Sequence, residues 1–218
     1  MNNESKTKLE WALEHAGNGY PVFPLTPNTK VPAIRNWQAE ATTDSNRIKA
    51  EWAESPDANI GSPLFQAGLS ALDLDVKNGK DGLTEMAKLE RENEPLGDTL
   101  TFSTASGGEH RIVRGVLRSR NGLRPGLDVK GSGGYIVMPG SMIGGKSYVV
   151  KKDLRIVDCP EWLRNLVGEV SSSQPSSKAD PDVEPDLPHN VKIFRRRRIQ
   201  EGRLGAARSR TCANSVDR

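Results

Sequence analysis

Residues 1–170 predict a mixed α+β domain. Three observations carry that expectation: apolar residues at helical spacing near the start, short alternating stretches between glycine-rich turns in the second half, and an abrupt loss of apolar character after Val170.

Taken in order, Leu9, Ala12, Leu13 and Ala16 recur at helical spacing and Gly17 and Gly19 follow, so residues 4–16 predict an amphipathic helix. A short strand over Tyr20–Leu25 comes next, and Pro27, Asn28 and Pro32 make Thr26–Trp37 a surface loop. Asp44 or Ser45 can cap a second helix bearing Ile48, Ala50 and Trp52. From Gly68 to Val76 the period changes to two, which puts Leu72, Leu74 and Val76 on one face of a strand and Asp73 and Asp75 on the other. Asp81 can cap a helix over residues 82–93. Strand patterns resume at Thr99–Thr104, His110–Val116, Leu127–Lys130, Gly134–Met138 and Ser147–Val150. Pro160 suits the first turn of a last helix that ends near Val170.

Beyond Val170 the stretch 171–190 holds five serines and four prolines and too little apolar surface to fold, which predicts a disordered linker. Residues 191–218 form a basic tail without a clear core. The charge is correspondingly uneven: residues 1–170 carry 21 Lys and Arg against 22 Asp and Glu, whereas 171–218 carry 10 against 6. The start, Met1–Trp11, has no apolar run, so neither a signal peptide nor a membrane span is expected and a cytoplasmic location is. Cys159 and Cys212 lack the paired spacing of a zinc site or a disulfide framework.

Within the nearly neutral domain, Arg111, Arg114, Arg118, Arg120, Arg124 and Lys130 crowd a stretch in which Asp128 is the only acid. That is either a solvated basic edge or a nucleic-acid surface.

Three short segments can carry chemistry. Asp73 and Asp75, at i and i+2 on a strand, point the same way with Cα atoms about 7 Å apart, so both carboxylates can meet one hard cation; the same pair also arises by chance on exposed strands. In Ser103–Val113, STASGGEHRIV, the turn Ser106-Gly107-Gly108 can bring backbone N–H groups close to an anion, and Ser106 and His110 can add hydrogen bonds to phosphate. The plainer alternative is a hairpin turn with an incidental histidine. In Leu127–Ser141, LDVKGSGGYIVMPGS, Asp128 and Lys130 share a strand face and can serve a metal and a phosphate, or form a simple ion pair.

In combination the segments are more specific. A D-x-D strand, an S-G-G-x-H turn and an apolar-flanked Asp, separated by 35 residues from Asp75 to His110 and 18 from His110 to Asp128, resemble the three motifs of the archaeal-eukaryotic primase superfamily, in particular the bifunctional primase-polymerase domains of phages, plasmids and integrated elements. Lys30, Pro32 and Trp37 fit the K-x-P…W loop of that family, and GGYIVMPGS with Gly144 and Tyr148 is similar to its stretch after the third motif. The resemblance spans about residues 8–165. It departs at 111–113, Arg-Ile-Val, where relatives usually place an aromatic residue after the histidine. Ile199–Arg203 is similar to the opening of a helical segment that follows the domain in relatives, but the residues after it do not continue the pattern, which predicts a truncated or frameshifted end.

The resemblance implies an RNA-recognition-motif-like α/β catalytic unit beside a second small subdomain, with the site in the cleft between them. It implies a DNA primase and DNA polymerase that performs template-directed nucleotidyl transfer in the replication of a mobile element. Asp73, Asp75 and Asp128 would hold two Mg2+ or Mn2+ ions; Ser106, Gly107, Gly108, His110, Lys130 and Lys30 would hold the incoming (d)NTP; Arg111, Arg114, Arg118, Arg120 and Arg124 would follow the nucleic acid. The partners implied are a single-stranded DNA template with its primer, and a replicative helicase. Two other readings compete: a non-catalytic nucleic-acid-binding replication module of the same fold, and a glycosyltransferase using the D-x-D pair, against which stands the lack of a βαβ rhythm.

Overall fold

The computed structural model describes residues 6–168, and the expectations for 171–190 and 191–218 fall outside them. Helix α1 (Lys8–Gly17) starts at a capping box, in which the Thr7 hydroxyl accepts from the Glu10 amide and the Glu10 carboxylate accepts from the Thr7 amide. Strand β1 (Phe23–Leu25) follows, then a loop that ends in the single turn of α2 (Trp37–Glu40). Asp44 caps α3 (Ser45–Glu54) by accepting from the Asn46 and Arg47 amides. Strand β2 (Asn59–Ser62), absent from the sequence expectations, leads through a 3-10 turn, Leu64–Ala67, to β3 (Leu69–Leu74). Asp81 caps α4 (Gly82–Glu92) through the Thr84 amide.

The second half is built of β4 (Thr101–Ser103), β5 (Glu109–Arg114), β6 (Arg120–Arg124), β7 (Leu127–Lys130), β8 (Ile136–Val137), the small hairpin β9 (Met142–Ile143) and β10 (Lys146–Ser147), then β11 (Val149–Lys152) and β12 (Val157–Asp158). Helix α5 (Glu161–Val167) closes the domain with Pro160 at its N-cap. β6 had no strand expectation, because its residues, Arg-Asn-Gly-Leu-Arg, bury only Leu123 and so lack alternation.

The main sheet runs β11-β4-β5-β3-β7-β6, with β12 alongside β5, and all its pairings are antiparallel except β12–β5. A second antiparallel sheet is ordered β1-β2-β8. Alternation along β3 and β5 gives each face of the main sheet its own core. On one face Leu72, Leu74 and Val113 pack with Met86 and Leu89 of α4 and with Leu163 and Val167 of α5. On the other, Leu69, Ala71, Phe102 and Ile112 pack against Ile48 and Trp52 of α3, Ala12 of α1, and Ile60 and Ile136 of the small sheet. The result is three layers with the main sheet in the middle. Among the described residues no helix is long and apolar enough to cross a membrane.

Candidate active site on the main sheet

The register of the main sheet assembles the site. Asp73 of β3 lies opposite His110 of β5 on one side and Asp128 of β7 on the other, while Phe102 of β4 lies opposite His110. Directly paired residues share a face, so Phe102, His110, Asp73 and Asp128 form one row across four strands. The row is on the face that packs against the small sheet, at the end where β3 stops.

Asp73 is the most enclosed acid of the row, its side chain 15% exposed. His110 Nε2 stands 3.4 Å from Asp73 Oδ1, and Lys130 Nζ stands 3.9 Å from Oδ2. Burial pushes the Asp73 carboxyl up, but contact with His110 and the positive charge of His110, Lys130 and Lys30 outweigh it and hold the group below its ordinary value. Lys30, from the loop after β1, therefore reaches the site electrostatically. His110 is itself buried, and its Nδ1 has no hydrogen-bond partner. The ring centroid of Tyr148, another buried residue, lies 6.0 Å from that of His110. Burial, with added negative charge from Asp73 and Asp75, pushes the Tyr148 phenol up to about 12.

Asp75 lies one residue past the end of β3. Its backbone is pinned on both sides: its N–H donates to the Gly126 carbonyl at 2.7 Å, and its own carbonyl accepts from the Gly82 N–H at 2.8 Å. Only glycine fits there, since a Cβ on Gly82 would lie 2.2 Å from the Gly126 oxygen and Gly126 has φ +78°. Sequence reasoning missed both glycines; their one visible trace was the position of Gly82 directly after the capping Asp81. The Asp75 carboxylate stands 3.3 Å from Lys77 Nζ.

Asp128 is engaged at both oxygens. Oδ1 accepts from the Gly122 N–H at 2.7 Å, and Oδ2 accepts from Lys130 Nζ at 2.8 Å, which also donates to Asn121 Oδ1 at 3.0 Å. The ion pair anticipated between Asp128 and Lys130 is thus present, and the ammonium lies between Asp128 and Asp73. Among the described residues no three His, Cys, Asp or Glu side chains stand together as a ready-made metal cluster; at Asp128 the position facing Asp73 is filled by Lys130.

The turn Ser106-Gly107-Gly108 abuts the end of β3. A Cβ on Gly108 would lie 2.1 Å from the Leu74 carbonyl oxygen, so glycine is required there. Ser106 Oγ is 3.1 Å from Thr104 Oγ1. The Gly107 N–H, expected to face an anion, instead donates to the Thr104 carbonyl at 3.0 Å and closes the turn.

The arginines do not form one patch. Arg111, at odd register with Val113, faces α4 on the opposite side of the sheet, where it pairs with Glu109 at 2.9 Å and Glu90 at 3.8 Å. Arg114 ends β5 beside Asp158, 3.3 Å away. The backbone N–H of Arg118 and the guanidinium of Arg120 bind the Gly168 and Leu166 carbonyls at the end of α5. Arg124, opposite Leu127 and 3.4 Å from Glu92 of α4, also leaves the sheet on the α4 side, but at the β6–β7 turn it lines, with Lys80, Asn121, Gly122, Gly126 and Asp128, a cleft of about 530 Å³ at the end of the sheet.

From residue 12 to residue 162 the sequence matches the family model of the bifunctional DNA primase/polymerase, N-terminal domain, Prim-Pol. The chain belongs to the Prim-Pol family. No curated protein matches it. Within this Prim-Pol domain the loop carrying Lys30, Pro32 and Trp37 is tied to the stretch after Asp128: the Tyr135 hydroxyl donates to the Lys30 carbonyl at 2.8 Å, and Trp37 stacks on Phe23 and meets Tyr135 edge-on. Phe23, Leu25, Val137 and Tyr148 share a buried cluster beneath these contacts, so Tyr148, which meets His110, packs against the same small sheet that bears the Lys30 loop.

Proposed function

We propose that this Prim-Pol domain is a template-directed nucleotidyltransferase, a DNA primase and polymerase serving the replication of a mobile element. One observation carries the reading: the register that sets His110, Asp73 and Asp128 side by side on one face, with Asp75 fixed at the end of the same strand. The order β4-β5-β3-β7, with α4 between β3 and β4, supports reading the main sheet as an RNA-recognition-motif-like unit in which β6 stands where the second helix would. The small sheet, with α1 and α3, would be the second subdomain.

The donors suit a hard divalent cation: carboxylates on adjacent strands, with an ammonium already lying between two of them. Asp73, Asp75 and Asp128 would hold two Mg2+ or Mn2+ ions, which activate the attacking hydroxyl and stabilise the leaving pyrophosphate. Asp73, kept ionised, supplies its charge at any physiological pH. His110 and Ser106 would bind the triphosphate of the incoming (d)NTP. Lys130, once parted from the acids, and Lys30 are further partners for those phosphates. In the transfer the 3′-oxygen bonds to the α-phosphorus, the bond to the pyrophosphate oxygen breaks, and the hydroxyl proton passes to water. The single-stranded template would lie over this face, with a replicative helicase as a further partner.

A glycosyltransferase reading is disfavoured, since the one parallel pairing in the main sheet, β12 with β5, is not joined by a crossover of the nucleotide-binding kind. The test is primer extension and de novo synthesis with magnesium or manganese, wild type against Asp73→Ala with Asp75→Ala. Incorporation confined to the wild type supports catalysis here. Equal incorporation by both overturns it, and salt-sensitive DNA binding without incorporation by either indicates a non-catalytic module.

A further inference from the structure

We infer that the cleft between Lys80 and the β6–β7 turn is the seat of the acceptor strand, taking the sugar-phosphate backbone next to the 3′-hydroxyl that attacks. The inference rests on the catalytic reading for direction and on the cleft itself for chemistry.

The direction comes from the register. In an in-line displacement the attacking and leaving oxygens lie on opposite sides of the phosphorus. The turn Ser106–Gly108 and His110 lie on the β5 side of Asp73, so the leaving pyrophosphate belongs there. Asp128 lies on the β7 side. Adjacent strands are about 4.8 Å apart, so His110 and Asp128 flank Asp73 across about 10 Å. The acceptor must therefore approach past Asp128. The cleft of about 530 Å³ is on that side, and Asp128 forms part of its wall. Its size suits a nucleotide.

The lining fits an anionic backbone. Lys80 and Arg124 contribute two cations, and the sole acid is Asp128. Lys80 is exposed on the turn before α4, and Arg124 is exposed, with Glu92 3.4 Å away as its ion-pair partner. Such a surface pair is worth little and is readily exchanged for phosphate. Gly122, at φ +66°, leaves open space where a Cβ would stand, so the backbone of the turn is approachable from the cleft. Lys80 lies outside the basic stretch 111–130, and only folding brings it to Arg124.

The experiment uses the full chain with a fluorescent primer–template duplex. Primer–template affinity is read by anisotropy across a salt series, and dNTP affinity is measured separately without DNA. Lys80→Glu with Arg124→Glu is expected to weaken primer–template binding by at least 10-fold and to flatten its salt dependence by about two charges, with dNTP affinity within twofold of wild type. Lys80→Ala, which keeps the Cβ that packs against Gly126, guards against misfolding and should weaken binding by about 3-fold. Unchanged DNA affinity in both folded variants overturns the proposal, as does a loss of dNTP affinity at constant DNA affinity. If the wild type incorporates no nucleotide yet the double variant still loses DNA, the catalytic reading fails while the cleft remains a nucleic-acid seat.

Discussion

Lys130 occupies a position that a divalent cation would contest, and removing it gives a measurable consequence. Its ammonium lies 2.8 Å from Asp128 and 3.9 Å from Asp73. With the effective dielectric of a partly exposed site, the attraction is about 6 kcal/mol to Asp128 and about 4 kcal/mol to Asp73 before the cost of desolvating the ammonium. Desolvation and screening reduce the net contribution to about 1–2 kcal/mol. A metal entering the wild-type site must displace this ammonium, whereas in Lys130→Met it meets the carboxylates unopposed. Manganese affinity, measured by paramagnetic resonance titration without nucleotide, is expected to rise about 10-fold, equivalent to about 1.4 kcal/mol. The metal-free variant should lose about 1–2 kcal/mol in urea denaturation, and manganese should restore it by mass action. A folded Lys130→Met protein with unchanged or weaker manganese affinity would refute the reasoning and leave Lys130 a purely structural partner.

Three further outcomes follow from the same geometry. Gly108→Ala forces a Cβ to within 2.1 Å of the Leu74 carbonyl; overpacking of this kind costs about 1–3 kcal/mol, so the melting temperature should fall by several degrees and nucleotide affinity should fall with it. Arg111→Ala should cost about 1 kcal/mol of stability, since buried Glu109 loses one of its two cations, while the salt slope of DNA binding stays unchanged; a slope lower by about one charge would return Arg111 to the nucleic-acid track. His15 is fully buried with Nε2 bonded to the Pro139 carbonyl, and burial holds its pKa down at about 4. The unfolded chain takes up that proton near pH 6.5 while the folded one resists it, so this stability is present in full above about pH 6.5 and is lost on going down to pH 4, reaching about 3 kcal/mol. Urea denaturation at pH 7.5 and 4.5 checks it, and an identical pH dependence in a folded His15→Gln variant would contradict it.

The elements with strong local patterning were legible in the sequence. Thr7, Asp44 and Asp81 sit where short polar side chains satisfy the first amides of a helix, and of the three only Thr7 does not stand out in the sequence, because Asn3–Lys6 are equally polar. The strand carrying Asp73 was legible because one face is apolar throughout. β2 was not, since Asn59-Ile60-Gly61-Ser62 is buried on both faces by partners distant in sequence, and Gly61 accommodates the Phe23 ring where a Cβ would be 2.5 Å away.

By itself the sequence determined the α+β class, the family and the alternation that gives Asp73 its face, since these depend on residue type and short spacing. Only the tertiary structure decided which residues meet. The antiparallel register put His110 and Asp128 on either side of Asp73, and the same parity sent Arg111 to the other face. A one-residue step along a strand reverses a side chain's direction, so a basic run continuous in sequence is divided in space. Asp75 is the clearest case: alternation placed it beside Asp73, yet it lies past the strand's end and is held there by the backbones of Gly82 and Gly126, a contact between segments 44 residues apart that no local pattern encodes.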